Sequence, residues 1–550
     1  MNWTQVIDPF GNIGLSALIA VTPILFIFWA LVIKKMKGYW TSLIATLLTV
    51  VIAVLIYGMP ARLALLSTAN GALYGLFPIS WIVITAVFLF NITLKSGQFE
   101  IIKHFMASIT SDRRLQALLV AFSFGSFLEG MVGFGTPVAI TAAMLVGLGF
   151  NPLYAAGICL IANTAPVAFG SIGIPITVAS QVTSIPEMAI SQMVGRTLPL
   201  LSLIIPYYLV ILMAGYRKTT EVLPAILVSG ISFAVMQWFT SNFLGPALPD
   251  LIAGVTSILC LTIFLKSWKP KNIWRFPQEP APTIHLEKKY TPGQILRAWS
   301  PFILLTIMIL LWGLQPVKNL FNSVGQVQFE FPGLHNVIFD PSGKPVPHIF
   351  KFNYLSASGT AVLLASIIAI PLIGLKFRHA IKIFITTLKQ LRFPIITVAA
   401  ILAFAYIIND SGMTLTIAQP LSNTGSLFPF FAPILGWLGV FITGSDTSAN
   451  ALFGKLQATT ATSIGVDPVV TVAANASGGV VGKMISPQSI AIAAAAGNLV
   501  GRESELFRFT FKHSLFLLLL ICLIVMAQAY VFTWMIPQYQ IPANGAVGLP

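Results

Sequence analysis

Apolar runs recur along the whole chain, from residues 12–33 near the beginning to residues 514–535 near the end. About 20 consecutive apolar residues are enough to cross a bilayer as a helix. Only 9% of the 550 residues are charged, far below the roughly 25% of soluble domains. The alternating segments of about ten residues that are typical of outer-membrane barrels are absent. The sequence therefore predicts an all-α polytopic membrane protein with about 12–14 transmembrane segments.

Basic residues give the chain a formal net charge of +15, which in a soluble protein would suggest nucleic-acid binding. Here they lie mainly in short loops between apolar runs, where they set the orientation in the membrane. The cluster of Lys34, Lys35 and Lys37 follows the first run and should be cytoplasmic, which places the N-terminus outside. The last run also leaves the C-terminus outside. We expect a lipid bilayer and no nucleic acid as partner.

Signatures of metal, disulfide and enzyme chemistry are missing from the sequence. Cys159, Cys260 and Cys522 lie in apolar runs without a CxxC pattern, so neither a metal site nor a disulfide framework is predicted. HExxH, GxSxG and a glycine-rich phosphate loop are absent. The six histidines lie in loops or at span edges, which argues against a histidine proton relay. We expect no cofactor, no metal and no enzymatic activity.

Two regions are apolar enough for a bilayer but too rich in glycine and proline for plain helices. The first covers about residues 123–180 and contains SFLEGMVGFGTP and ANTAPVAFGSIGIPI. The second covers about residues 427–497 and contains FITGSDTSANALFGKLQ and ASGGVVGKMISPQSIAIA. Interrupted apolar segments at corresponding positions of two halves indicate a transporter binding site. We expect broken helices or re-entrant hairpins in both regions.

An internal repeat relates the two regions. ANTAPVAFGSIGIPITVA (162–179) aligns without a gap with ANASGGVVGKMISPQSIA (474–491), which pairs Asn163 with Asn475. The charge-based orientation makes the chain enter the first region from the cytoplasm and the second from outside, which predicts two inverted repeats. The predicted organisation is an N-terminal transmembrane half (1–266), a polar, proline-rich cytoplasmic linker (267–298) and a C-terminal transmembrane half (299–550).

Charged residues inside a membrane mark ion or substrate paths. Glu129 and Asp446 lie at matching places in the two broken regions and are the predicted proton-coupling residues. Structural alternatives are hydrogen bonds from loop amides for Glu129 and a helix N-cap for Asp446. Lys483 is either a helix-end charge or the cation of the site. Lys455 is expected at a hairpin tip that reaches water.

Glycines and small polar residues complete the predicted site. Glycines let the backbone approach a ligand closely, and helices that restart after a break direct free N–H groups and a positive dipole end into the cavity. Such a site suits a small carboxylate with a neighbouring hydroxyl, although small polar residues also pack membrane helices against one another. The predicted substrate-binding set is Gly133, Gly135, Asn163, Thr164, Ser171, Ser448, Asn450, Asn475, Ser477, Lys483, Ser486 and Gln488.

Energetics favour a coupled carrier for an anion. An anion that enters a negative-inside cell climbs about 2.3 kcal/mol per 100 mV, and one accompanying proton removes that cost. A desolvated carboxyl group can carry the proton near neutral pH. Sodium coupling is the rival hypothesis, because Asp, Ser, Thr and free backbone carbonyls also form sodium sites. The residues alone leave the two open.

Long runs of this sequence resemble the bacterial L-lactate permease family: residues 95–110, 123–176, 441–457 and 476–493. The likeness covers nearly the whole chain. It implies a multi-pass carrier of the bacterial plasma (inner) membrane that takes up L-lactate, with D-lactate and glycolate as further substrates, by symport with protons. A sodium-coupled small-carboxylate symporter and an anion channel are the alternative hypotheses. A channel would pass large currents without saturation by lactate.

Overall fold

The computed structural model describes residues 2–133, 135–277 and 290–540. Three π-helical segments extend or join helices of the N-terminal half: Trp29–Ile33, Gly75–Ser80 and Ala117–Phe124. The helices of the N-terminal half are α1 (Ile13–Phe28), α2 (Gly38–Leu55), α3 (Ala61–Tyr74), α4 (Trp81–Lys95), α5 (Gln98–Ser108), α6 (Arg113–Gln116), α7 (Gly125–Met131), α8 (Thr136–Gly147), α9 (Pro152–Ala162), α10 (Gly170–Thr183), α11 (Glu187–Thr220), α12 (Leu223–Phe243) and α13 (Pro249–Ser267).

The C-terminal half is also helical. Its helices are α14 (Pro292–Gly313), α15 (Gln315–Gly325), α16 (Ser358–Leu372), α17 (Phe377–Asp410), α18 (Met413–Ser422), α19 (Phe428–Thr443), α20 (Asp446–Ser463), α21 (Pro468–Lys483), α22 (Pro487–Ala496) and α23 (Glu503–Tyr530). Short 3-10 turns lie at Val167–Phe169, Gly425–Leu427 and Thr533–Met535.

Within the described residues, 11 helical segments are long and apolar enough to cross a membrane, or 12 if the bent pair of α9 with residues 167–183 is one span. Most of them keep 28 to 67% of their most apolar window inside the protein, as helices with one lipid-facing side do. The most apolar window of the segment Pro468–Ala496 is 100% buried, and α21 is buried from Val469 to Lys483, so α21 lies at the centre of the bundle. The prediction of an all-α polytopic membrane protein is confirmed.

The first broken region bends as its glycines and prolines predict. The backbone has positive φ at Gly133 and Gly135, between α7 and α8. The pair of α9 and residues 167–183 is bent by 62°. The bend region (residues 163–173) begins at the break after α9 and contains Ser171 and Ile172 at φ 49° and 61°, a conformation that a β-branched residue such as Ile172 rarely adopts. Such backbone strain is characteristic of functional sites.

The second broken region repeats part of this plan. α19 ends at Thr443 and α7 at Met131, 312 positions apart, which is the offset between Asn163 and Asn475. Gly444, at φ 71°, turns the chain into α20. A further break at Ser486 separates α21 from α22. The inverted relation of the two halves and their boundaries stay predictions, and residues 278–289 of the predicted linker lie outside the described part of the chain.

Glycine pairs four residues apart allow close helix packing. A Cβ on Gly478 would overlap the Pro433 carbonyl, and one on Gly482 would overlap the Trp437 carbonyl, so α21 lies flush against α19. Gly71 in α3 and Gly75 just beyond it meet the backbone of α17 in the same way. Small-xxx-small spacing of this kind lets helix backbones approach without a large apolar driving force.

A polar loop, residues 326–357, covers the ends of α3 and α17. It contains the antiparallel strands β2 (Val327–Glu330) and β4 (Ile349–Phe352). It also contains β3 (Ile338–Phe339), which pairs in parallel with β1 (Trp3–Thr4) at the N-terminus. His348 of this loop lies 2.9 Å from the Asp410 carboxylate, which also accepts a 2.6 Å hydrogen bond from Ser67. The loop is thus tied to α3 and α17 by buried polar contacts.

One expectation and one structural alternative for the second broken region are wrong. Lys455 is not at a hairpin tip, because α20 continues without a break to Ser463. Asp446 does not cap α20: Ser445 is the N-cap, and its side chain accepts a hydrogen bond from the Ser448 N–H. Ser445 has the extended backbone that an N-cap requires, whereas Asp446 already belongs to the first helical turn.

Candidate functional site

A buried ion pair joins the two broken regions at the centre of the bundle. The Lys483 ammonium donates to Glu129 Oε1 at 2.5 Å, although the residues are 354 positions apart. Glu129 Oε2 accepts a 2.9 Å hydrogen bond from the Asn163 amide. Glu129 is 1% and Lys483 6% exposed. The pair is therefore shielded from water. Removal of either partner would leave an unpaired charge in the protein interior, which is costly.

Local backbone geometry fixes the position of Glu129. Gly170 lies against the Glu129 side chain, and a Cβ there would come within 2.9 Å of Oε1. Gly133 lies against the Ser171 hydroxyl, which donates a 3.0 Å hydrogen bond to the Val132 carbonyl. Gly170, at φ −60°, thus leaves room for the carboxylate, and the positive-φ Ser171 connects the bend to the end of α7. Lys483 occupies the last turn of α21, where the helix dipole favours a cation.

Two further carboxylates lie near this pair. Asp446 Oδ1 touches Gly479, which is one helical turn before Lys483 on α21. The side chain of Asp250, in the first turn of α13, packs against Gly130, the residue after Glu129. Each aspartate is within electrostatic range of both Glu129 and Lys483. We call Glu129, Asp250, Asp446 and Lys483 the core cluster.

Hydrogen bonding in the core cluster is uneven. Among the described residues, both oxygens of Asp250 and Oδ1 of Asp446 are buried without a hydrogen-bond partner. Asp446 Oδ2 accepts a long 3.5 Å hydrogen bond from the Asn450 amide. Glu129, in contrast, is fully engaged by Lys483 and Asn163. Three carboxylates and one ammonium thus share one buried space, in which the short hydrogen bonds go to Glu129.

A chain of buried amides continues from Asp446. Asn450 donates to the Pro175 carbonyl at 3.1 Å, next to the bend of the first broken region. Asn475 donates to Asn450 Oδ1 at 2.8 Å and accepts from Gln457 at 3.2 Å. Ser477 Oγ is buried nearby on the same helix as Asn475, with no hydrogen-bond partner in the described part of the chain. These contacts join α20, α21 and the bend into one polar network.

Other predicted site residues serve local structure or lie apart. Thr164, in the turn after α9, donates to the Ile161 carbonyl of that helix at 2.7 Å. Ser486 caps α22. Ser448 lies in the first turn of α20, and Gly135 lies against Ile492 of α22. Gln488 is exposed beside Gly444. Of the predicted set, the structure brings Glu129, Asn163 and Lys483 into direct contact.

Sequence reasoning missed Asp250 and Gln457. Asp250 lies at the start of an apolar run that forms α13, and an acidic residue in such a run is a sufficient signal. Gln457 carries no such signal, because its role depends on Asn475, a residue of another helix. Among the described residues, no group of three His, Cys, Asp or Glu side chains could hold a metal ion.

A charged cluster between broken helices, at the buried centre of a polytopic bundle, is the arrangement of a secondary transporter. The family model for L-lactate permease matches residues 16–532. The chain belongs to the L-lactate permease family.

Three relatives are similar to this chain over nearly its whole length. The L-lactate permease of Bacillus subtilis (strain 168) is 56% identical, over 98% of this chain and 100% of that protein. The L-lactate permease of Escherichia coli (strain K12) is 52% identical, over 97% and 100%. The glycolate permease GlcA of the same strain is 50% identical, over 98% and 100%.

Proposed function

We propose that the protein takes up L-lactate, and also D-lactate and glycolate, across the bacterial plasma membrane together with one proton per anion. The names of its relatives, L-lactate permease and glycolate permease, support this substrate class. The Glu129–Lys483 ion pair is the observation that carries the mechanism. The termini would face the outside, as the distribution of basic residues predicts.

Competition for Lys483 couples the anion to a proton. The substrate carboxylate needs a cation inside the membrane, and Lys483 is the cation of the core cluster. When the substrate binds Lys483, Glu129 loses its partner in a space where an isolated carboxylate is strongly disfavoured. Glu129 then takes up a proton and becomes neutral. When the substrate leaves, Lys483 recovers Glu129, and the proton is released on the same side as the substrate.

The other two carboxylates keep this exchange electrically neutral. A helix N-terminus stabilises an adjacent anion by at most about 2 kcal/mol, while burial of an ion costs several kcal/mol. Asp250 and Asp446, which lack strong donors, are therefore held as neutral acids beside the Glu129–Lys483 pair. Asp446 is also the second candidate for the transported proton.

Polar groups around the pair suit a 2-hydroxymonocarboxylate. Asn163 and Ser171 lie at Glu129, and their amide and hydroxyl groups can bind the substrate hydroxyl once Glu129 is neutral. The described conformation is closed, because the core cluster is at most 6% exposed. Substrate access therefore requires movement of one broken region against the other, which is the alternating access expected of broken-helix carriers.

Uptake into proteoliposomes tests this proposal. We expect an inward proton gradient, without sodium, to drive accumulation of labelled L-lactate by the wild type. Glu129→Gln should lose accumulation but keep lactate exchange, because binding to Lys483 persists while the proton carrier is gone. Glu330→Gln is the matched control, since Glu330 lies in the exposed strand β2 of the polar loop 326–357. Transport that starts only on addition of sodium would overturn proton coupling.

A further inference from the structure

A second lysine of the second broken region lines a cavity. The cavity has a volume of about 860 Å³. Its walls come from the C-terminal half of α20, the start of α21, the α10–α11 connection and the segment after α23; they include Lys455, Thr459, Thr462, Asp467, Trp534 and Tyr539. We call this cavity the vestibule. Its volume lies in the range of ligand pockets, about 300–1,000 Å³.

Lys455 has no counterion in the vestibule. Within the described residues, no carboxylate lies within 4.0 Å of its ammonium group, and no hydrogen bond commits it. Asp467, the acidic residue of the lining, caps α21 through the Val469 N–H and accepts a 2.6 Å bond from the Tyr539 hydroxyl. Asp410 acts on Lys455 electrostatically but is bonded to His348 and Ser67. The ammonium is therefore available to an anion.

Hydroxyl groups lie on the same face of α20 as this cation. Lys455, Thr459 and Thr462 follow the i, i+4, i+7 spacing of one helix face. Thr462 donates to the Ala458 carbonyl and keeps its lone pairs free to accept. An ammonium with neighbouring hydroxyls on the cavity wall can bind a small anion that has a carboxylate and a hydroxyl group.

α20 separates the vestibule from the core cluster. Asp446, Asn450 and Gln457 of this helix belong to the buried polar network, whereas Lys455 and Thr459 line the vestibule. Nine residues of helix from Asp446 to Lys455 correspond to about 14 Å of rise. An anion bound to Lys455 would therefore lie about 14 Å along the α20 axis from Asp446 of the core cluster.

We propose that the vestibule is a second anion site, in which Lys455 and the α20 hydroxyls hold a small hydroxycarboxylate before it reaches the core cluster. The choice of ligand rests on the proposed function, while the anion site itself rests on the unpaired lysine and the cavity. The site raises the local concentration of the anion at the closed core through a charge-assisted hydrogen bond from the Lys455 ammonium.

Cysteine labelling tests the site without relying on transport. Thr462→Cys, with Cys159, Cys260 and Cys522 replaced by alanine, places an exposed thiol in the vestibule. The measured quantity is the labelling rate with an anionic methanethiosulfonate reagent divided by the rate with a cationic one. This ratio should be about tenfold higher when Lys455 is present than in Lys455→Gln. Lys344→Gln, at an exposed position of the polar loop 326–357, is the matched control and should leave the ratio unchanged. An unchanged ratio in Lys455→Gln overturns the anion site.

Two further readouts test the ligand. L-lactate should slow the labelling, and loss of this protection while the charge preference persists would overturn the hydroxycarboxylate assignment. In gradient-driven uptake, Lys455→Gln should raise the KM about tenfold, the effect of losing one hydrogen bond to a charged group, with kcat nearly unchanged. Lys455→Arg should restore the KM. Failure of the proton coupling shows separately, as absence of gradient-driven uptake by the wild type.

Discussion

The core cluster and the vestibule both combine lysine with carboxylates, but in different proportions and with different contacts. In the core cluster, three carboxylates share one lysine, and all four residues are at most 6% exposed. In the vestibule, one lysine faces a cavity whose single lining carboxylate, among the described residues, is engaged elsewhere. Burial favours the neutral form of a carboxyl group, whereas an ammonium without an ion-pair partner can bind an anion. We propose that this difference separates capture of the substrate from its coupling to the proton.

The largest difference should appear when each lysine is removed. Lys483→Met leaves Glu129 buried without its cation, so we expect a loss of about 3–5 kcal/mol in unfolding free energy and no lactate accumulation. Lys455→Met breaks no ion pair and should change stability by less than about 1 kcal/mol. Denaturant unfolding of the purified proteins in detergent measures both. Equal losses would mean that Lys455 has a structural partner in the bundle.

The carboxylates of the core cluster should also differ from one another. Asp250→Asn and Asp446→Asn replace neutral acids by neutral amides of the same shape, so each should shift the unfolding free energy by less than about 1.5 kcal/mol. Glu129→Gln leaves Lys483 as a buried charge without an anion and should cost about 3 kcal/mol. The same unfolding assay ranks the three variants. A loss in Asp250→Asn as large as that in Glu129→Gln would place a negative charge on Asp250.

Ionic strength should act on the vestibule and not on the core cluster. Between about 0.01 M and 1 M salt, the Debye length shrinks from about 30 Å to about 3 Å, which screens exposed charges and leaves buried pairs nearly unaffected. In sodium-free choline chloride, the lactate KM of the wild type should rise about threefold over this range. The KM of Lys455→Gln should stay flat. A flat wild-type KM would remove the electrostatic role of the vestibule.

The smallest effect concerns the buried His348–Asp410 pair, which joins the polar loop 326–357 to α17. Burial lowers the pKa of His348, but the Asp410 carboxylate and backbone carbonyls outweigh it and hold the pKa above its ordinary value. The stabilisation is therefore complete below the ordinary histidine value, about 6.5, and is lost as the pH rises through the folded pKa. Amide hydrogen exchange of residues 326–357, corrected for its intrinsic pH dependence, should accelerate in that window. His348→Asn should abolish the pH dependence, and a wild-type loop equally protected across it would contradict the assignment.

Local sequence patterns predicted most of the fold. Apolar runs indicated the spans, and the glycines around Gly133 and Gly444 indicated the breaks, because these signals depend on neighbouring residues. Glu129 and Lys483 were each recognised as intramembrane charges, but their contact spans 354 positions and is a tertiary feature. The sequence alone predicts Lys455 at a hairpin tip that reaches water. The helix continues past it instead, and Lys455 lines a cavity.

The central claim is that the substrate and Glu129 compete for Lys483, so that each lactate enters with one proton and no net charge. Proteoliposomes with a pH-sensitive dye inside, on a support that records current, test it most directly. After a lactate pulse at equal pH and without sodium, we expect the lumen to acidify and no current to flow, while Glu129→Gln gives no acidification. Lactate uptake that carries current, or that leaves the luminal pH unchanged in the wild type, would contradict the account.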